Sequence, residues 1–154
     1  MSPTFGAVSM ERLRKIVLGF MEDDQNTHYQ LIIGTDSQCK NGSGVDFVTA
    51  IVVHREGSGG IYFWKRELNR TKMVLKTRIY QEAIMSITSA QEVLELFKKD
   101  GITRYDMEIH VDIGTVGATR ELITEVVGMI RGSGFSVRTK PDSYVASKVA
   151  DRYT

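Results

Sequence analysis

Cysteine, long apolar runs and an excess of charge of one sign are all scarce in this chain. Cys39 is its only cysteine, which excludes an intrachain disulfide and makes the reducing cytoplasm the expected location. No apolar run approaches the roughly 18 residues of a membrane span, and the N-terminal residues lack the basic and apolar parts of a signal peptide, so we expect no membrane association. The net charge is only +1, so a nucleic-acid-binding surface has to be a local basic patch.

The remaining composition is that of an ordinary globular protein. Of the 154 residues, 42% are hydrophobic and 25% are charged, which excludes a disordered chain and predicts a single domain over residues 1–154. Residues 1–28 are expected to form an N-terminal helical extension, with Ser9 as the cap and Glu11 in the first turn. Its apolar residues recur at helical spacing: Met10, Leu13, Ile16, Val17, Phe20 and Met21.

The first strand is predicted from the apolar run Leu31-Ile32-Ile33, which is followed by Gly34-Thr35-Asp36. We expect this strand to end at Asp36, because polar residues follow the apolar run. The Asp36 carboxylate would then lie at the edge of the sheet where α/β proteins bind their ligands. Two further apolar runs, each preceded by a turn-forming cluster, lie at residues 47–53 and 61–64. The three strands are therefore predicted to form an antiparallel meander.

The second half of the chain alternates helices and strands. A long amphipathic helix carries Glu82 on the flank of its apolar stripe. The strand that follows alternates strictly, so that Glu108, His110 and Asp112 share one face, and a hydrogen-bonded core position is favoured for His110 over a role in a site. Another helix, a strand near residues 135–139 and a short final helix come next. Right-handed crossovers make the last two strands parallel to the first, which predicts an α/β fold with a mixed five-stranded sheet and flanking helices.

Four acidic residues occupy comparable architectural positions, two at predicted strand ends and two on helices: Asp36, Glu82, Asp112 and Asp151. If the strands of Asp36 and Asp112 are parallel neighbours, their carboxylates meet at one edge of the sheet. Crowded carboxylates repel one another and raise one another's pKa unless a cation lies among them. Hard oxygen ligands of this kind suit Mg²⁺ or Mn²⁺.

This pattern resembles the ribonuclease H-like superfamily over nearly all of the chain after residue 28. The resemblance is carried by residues 34–38, by the meander, and by Glu82, Asp112 and Asp151 at the remaining acidic positions. More narrowly, residues 34–38, 110–114, 140–144 and 149–152 are similar to the YkuK-type family of uncharacterised bacterial proteins.

The resemblance implies a nuclease that hydrolyses phosphodiester bonds with two divalent ions, one activating the attacking water and the other stabilising the leaving oxygen. RNA, an RNA–DNA hybrid and structured DNA are the candidate substrates. The site residues implied are Asp36, Glu82, Asp112 and Asp151, which would hold Mg²⁺ or Mn²⁺.

Two alternatives stay open beside this reading. The loop before the final helix has no histidine, where many ribonucleases H carry one, and Asp142 is an alternative to Asp151 as the fourth ligand. A non-catalytic ribonuclease H-like module that binds nucleic acid or a protein is the alternative function, since this fold serves both purposes. A phosphatase of the haloacid dehalogenase kind is disfavoured, because it needs an aspartate where Gln38 stands.

A basic run leads into the helix that carries Glu82. Between residues 65 and 78 six cations stand against one acid, Glu67: Lys65, Arg66, Arg70, Lys72, Lys76 and Arg78. Such a run is commonly a solvated surface, but next to a phosphodiester site it predicts phosphate contacts, with Lys72, Lys76 and Arg78 as the candidates.

Overall fold

The computed structural model describes residues 1–2, 5–23, 27–40, 44–55, 57, 59–99, 101, 105–113 and 120–140. Its elements, in chain order, are α1 (Met10–Glu22), β1 (Tyr29–Lys40), β2 (Gly44–Arg55), β3 (Gly60–Asn69), α2 (Leu75–Lys99), β4 (Tyr105–His110), a 3₁₀ turn (Arg120–Leu122), α3 (Ile123–Gly132) and β5 (Ser136–Arg138). In the described part of the chain no helix is long and apolar enough to cross a membrane. The predicted final helix, with Asp142 and Asp151, lies outside the described residues.

The five strands form one mixed sheet in the order β3-β2-β1-β4-β5. β1, β2 and β3 pair antiparallel, because short glycine-containing turns connect them, whereas β4 pairs parallel with β1 and β5 parallel with β4. The parallel pairs follow the long connections through α2 and α3, as crossovers require. The predicted fold class is therefore confirmed.

β1 is longer than its apolar run predicts. It continues through Lys40, with Asp36 opposite Val48, because β2 stays in register with it over its whole length. The prediction that the strand ends at Asp36 is wrong. What ends near Asp36 is the parallel ladder with β4, whose last pair is Gly34 with His110. β4 likewise stops two residues before Asp112.

The three described helices pack on one face of the sheet around a single apolar core. α1 begins at its predicted cap, Ser9, whose side chain accepts a hydrogen bond from the backbone N–H of Arg12. α2 ends after two lysines, and Gly101 follows with φ +65°, a conformation that favours glycine. Residues buried in the core include Val17 and Met21 of α1, Val93 and Phe97 of α2, Ile130 of α3, and Leu31, Ile33 and Ile109 of the sheet.

Candidate functional site

Two of the predicted acids lie just beyond the β1–β4 ladder. Asp36 is half-buried on β1 and is held in place by the pairing of β1 with β2. Asp112 follows β4, and its side chain is 42% exposed. The two aspartates thus lie at the same end of neighbouring strands, as predicted, although β1 continues past Asp36 and β4 ends before Asp112. Alternation along β1 puts Asp36 on the face opposite Thr35 and Ser37, which contact α2.

Glu82 approaches this end of the sheet from α2. The Ser37 hydroxyl donates a hydrogen bond of 2.5 Å to Oε1 of Glu82. The pKa of Glu82 is raised from its ordinary value of 4.5 to about 7, mainly because the side chain is buried; the charges of Asp36 and Asp112 also raise it, while the hydrogen bond from Ser37 and the charge of Arg78 lower it. Glu82 therefore lies within electrostatic reach of both aspartates, although burial has the larger effect.

A buried hydroxyl network fixes α2 at the height that places Glu82. Oγ1 of Thr35 lies 2.9 Å from Oγ1 of Thr49 and 2.8 Å from Oγ of Ser86, which joins β1, β2 and α2. These three hydroxyls are buried, so the two hydrogen bonds to the Thr35 hydroxyl replace hydrogen bonds to water. Ser86 lies one helical turn after Glu82, so this network sets the position of the carboxylate relative to β1.

Arg78 lies on the same side of α2 and is tied to β1 rather than pointing into solvent. Its Nε donates to Oγ of Ser37 at 3.1 Å, its Nη2 to the Ser37 carbonyl at 2.9 Å, and its Nη1 to Sγ of Cys39 at 3.4 Å. Ser37 thus accepts from Arg78 and donates to Glu82, forming a chain of hydrogen bonds that orients the carboxylate. Sequence analysis did not predict a role for Ser37, whose position next to Asp36 was its one distinguishing feature.

Lys140 is a second site residue that the sequence did not reveal. Its Nζ lies 2.9 Å from Oδ1 of Asp112, and its backbone N–H donates to the carbonyl of Ile113 at 2.8 Å. This backbone hydrogen bond continues the pairing of the two chain segments past the end of β5 and holds Lys140 beside Asp112. The position of the lysine is therefore set by the sheet. A cation just after a predicted strand was the available signal.

His110 is buried in a polar group on the face of the sheet that Asp36 shares. Glu108 accepts hydrogen bonds from Gln30 and, at 2.7 Å, from Nε of Arg138. His110 Nε2 lies 3.6 Å from Glu108, too far for a hydrogen bond, and neither ring nitrogen has such a partner among the described residues. The core position is confirmed, but the predicted hydrogen bond is not seen in this part of the chain. Burial lowers the pKa of His110.

The structure divides the basic run into residues with different surroundings. Lys65 pairs with Glu92 at 3.8 Å, and Arg66 pairs with the buried Asp46 at 3.3 Å. Lys72 and Lys76 are exposed, one before α2 and one in its first turn. With Arg78 bound to β1, these two lysines are exposed cations in the segment that leads into the helix of Glu82.

The donor set fits a hard divalent cation in its chemistry. Asp36, Glu82 and Asp112 supply only oxygen, the ligand atom that such ions prefer, and the pKa of Glu82 is raised mainly by its burial. In the described ranges no three His, Cys, Asp or Glu side chains converge closely enough to hold one ion, and Asp112 is instead paired with Lys140. Asp151 and Asp142, the candidate fourth ligands, lie outside the described residues, as do residues 114–117.

The sheet order and helix placement define a ribonuclease H-like protein, and comparison with known proteins agrees. The chain belongs to the ribonuclease H-like family, whose model matches residues 12–154. It is similar to the protein YkuK of Bacillus subtilis (strain 168), with 34% identity over 160 residues that cover 94% of this chain and 88% of YkuK.

A solved structure with a more distant likeness is Ciona intestinalis endonuclease V in complex with a 24mer DNA containing an inosine followed by a ribo-adenosine. The identity is 11% and the TM-score 0.39. The match covers 94% of this chain and 66% of the other, just under two thirds of its length.

Proposed function

We propose that this protein is a nuclease that hydrolyses phosphodiester bonds of RNA, an RNA–DNA hybrid or structured DNA with two Mg²⁺ or Mn²⁺ ions. The observation that carries the proposal is the placement of three acids at one end of the parallel ladder: Asp36 and Asp112 each lie two residues beyond its last pair, and Glu82 is bonded to Ser37, the neighbour of Asp36. Acidic side chains gathered at the end of such a ladder, one of them buried with a raised pKa, support a functional site that binds a cation.

Each acid of the site is held differently. Asp36 is fixed by the β1–β2 pairing, Glu82 is oriented by the Ser37 hydroxyl, and Asp112 extends from the end of β4. Divalent ions bound here would activate a water and stabilise the charge that develops on the phosphate. The chain itself supplies the carboxylates that hold the ions and the hydrogen bonds that keep Glu82 turned towards them.

Substrate would be held by the basic residues that precede Glu82. Lys72 and Lys76 are exposed at the start of α2, and their ammonium groups can neutralise phosphates without any rearrangement of the fold. Arg78 contributes positive charge from a fixed position on β1, because its guanidinium is bound to Ser37. Contacts of this kind position a nucleic acid but do not read its sequence.

A non-catalytic nucleic-acid-binding module is the second candidate, and one contact favours it. The ion pair between Lys140 and Asp112 neutralises an acid that a metal would need. In such a module the acids would be balanced by Lys140 and Arg78, and the protein would bind nucleic acid without cutting it.

Labelled RNA, hybrid, duplex and four-way-junction substrates, incubated with Mg²⁺ or Mn²⁺, test the proposal. The nuclease predicts cleavage of at least one substrate by the wild type and none by Asp36→Asn, with binding of that substrate retained in Ca²⁺. Binding without cleavage in either metal would select the binding module. A wild type that neither binds nor cleaves any of them would refute both candidates.

A further inference from the structure

Lys140 is placed beside Asp112 by the backbone and not by its side chain alone. The backbone N–H of Val111 donates to the Arg138 carbonyl at 3.0 Å, and that of Lys140 donates to Ile113 at 2.8 Å. Hydrogen bonding between the two chain segments therefore runs past the ends of β4 and β5 up to Lys140. The lysine occupies a defined position next to the acid.

The charges around the carboxylates differ in how firmly they are held. Arg78 directs three of its N–H groups to Ser37 and Cys39, so its position is fixed. Lys140 makes its 2.9 Å contact with Asp112 from a side chain that is 57% exposed. Its ammonium can leave the carboxylate through rotations about its own flexible stem, with no change in the sheet.

We infer that Lys140 competes with a divalent ion for Asp112 and, once displaced, binds a phosphate of the substrate. An ammonium 2.9 Å from a carboxylate oxygen weakens the binding of a divalent ion to that carboxylate, since the two cations repel each other. The competition requires only metal binding, whereas the phosphate contact rests on the proposed nuclease function. Lys140 links metal binding to substrate binding, because the ion displaces the ammonium that then contacts the phosphate.

Manganese binding without substrate tests the first half, with electron paramagnetic resonance as the readout of free Mn²⁺. Lys140→Met should bind Mn²⁺ about tenfold more tightly than the wild type, because one repelling charge is gone. The matched control is Lys98→Met, since Lys98 is also paired with an acid, Glu95 at 3.9 Å, and is 65% exposed. It lies sixteen residues after Glu82 on α2, about 24 Å along the helix, and should leave the affinity unchanged.

Oligonucleotide binding in Ca²⁺ tests the second half. Lys140→Met should weaken binding and lower its salt slope by about one, whereas Lys98→Met should do neither. Melting in chelator checks that both variants are folded. Lys140→Met is thus expected to bind the metal more tightly and the nucleic acid more weakly. A general loss of stability would weaken both, so it cannot produce this combination.

Each other outcome overturns a stated part. If Lys140→Met and the wild type bind Mn²⁺ equally, Lys140 forms only a surface ion pair and the inference fails while the nuclease proposal stands. If Mn²⁺ binds more tightly but the oligonucleotide binds as before, the phosphate contact is refuted. If neither protein binds Mn²⁺, the proposed metal site is itself refuted.

Discussion

Asp36 and Asp112 each lie two residues beyond the same pair, Gly34 with His110, which closes the parallel ladder between β1 and β4. Equal steps along parallel strands carry the two aspartates to the same height on the sheet. They are supported in different ways, since Asp36 stays within a paired strand and Asp112 is paired with Lys140. Of the two proposed ligand positions, that of Asp36 is therefore rigid, and that of Asp112 depends on the proposed competition with Lys140.

The rigid position gives the first prediction. Asp36→Asn should lower the rate of metal-dependent cleavage at least about 100-fold, because the amide keeps the shape but loses a charge worth several kcal/mol to the reaction. Asp106→Asn is the control, since Asp106 lies on β4 at the opposite end of the ladder, exposed and paired with His28. Cleavage assays should show full activity for the control, and equal losses in both variants would refute the role of Asp36.

Local signals were enough to predict most of the fold. The Ser9 cap, the antiparallel pairing of strands joined by short glycine-rich connections and the alternation of Glu108 with Ile109 each depend on neighbouring residues, and each was confirmed. The extent of β1 was not predictable in this way. Ser37 to Lys40 are polar and show no apolar alternation, and they are in a strand only because β2 pairs with them.

The site was predictable as far as it depends on strand ends. Asp36 and Asp112 come shortly after the apolar runs of β1 and β4, so their shared end of the sheet could be predicted from the sequence, although β1 continues past Asp36. Arg78 and Ser37 are separated by 41 residues, and their contact arises from the packing of α2 on β1. In the sequence Arg78 is one cation of a basic run, and only the tertiary structure shows that it is bound to Ser37 of β1.

Glu82 gives a prediction on stability against pH. Its pKa is raised in the folded protein, so the fold binds a proton more strongly than the unfolded chain does between pH 4.5 and about 7. The stability that this proton contributes is fully present below pH 4.5 and is lost as the pH rises through about 7. In chelator at pH 8, Glu82→Gln should therefore melt roughly 5 to 10 °C higher than the wild type, corresponding to about 3 kcal/mol.

The difference in melting temperature between Glu82→Gln and the wild type should shrink as the pH falls towards 4.5. Calorimetry over this pH range would measure it. Glu95→Gln is the control, since Glu95 is on the same helix but exposed and paired with Lys98. Its melting temperature should follow that of the wild type at every pH. A Glu82→Gln variant that melts lower than the wild type at pH 8 would contradict the inference that an ionised, buried Glu82 destabilises the fold.

Ser37 gives a prediction on metal affinity. Its hydroxyl lowers the pKa of Glu82, so Ser37→Ala should raise that pKa further and leave less of the carboxylate ionised at neutral pH. Mn²⁺ needs the ionised form, so binding should weaken at pH 7 and recover at pH 9. Ser89→Ala is the control, because Ser89 is also buried on α2 but its hydroxyl has no hydrogen-bond partner among the described residues. Titrations that weaken equally in both variants, or that do not recover at pH 9, would assign Ser37 a structural role only.

The basic run gives the last prediction, which separates Lys72 and Lys76 from Arg78. If the two exposed lysines contact phosphates, Lys72→Ala with Lys76→Ala should lower the salt slope of oligonucleotide binding by about two and leave the pH dependence of melting unchanged. Arg78→Ala should act on both, because its guanidinium also lowers the pKa of Glu82.

A double variant of equal charge, Lys15→Ala with Lys99→Ala, controls for the change in net charge, since both lysines are exposed and lie outside the run. Its salt slope should equal that of the wild type. If the Lys72 and Lys76 variant has the same slope as this control, those lysines form a solvated surface. If Arg78→Ala leaves the pH dependence of melting as it is in the wild type, the guanidinium does not act on Glu82, and the hydrogen-bonded chain through Ser37 does not set the ionisation of that carboxylate.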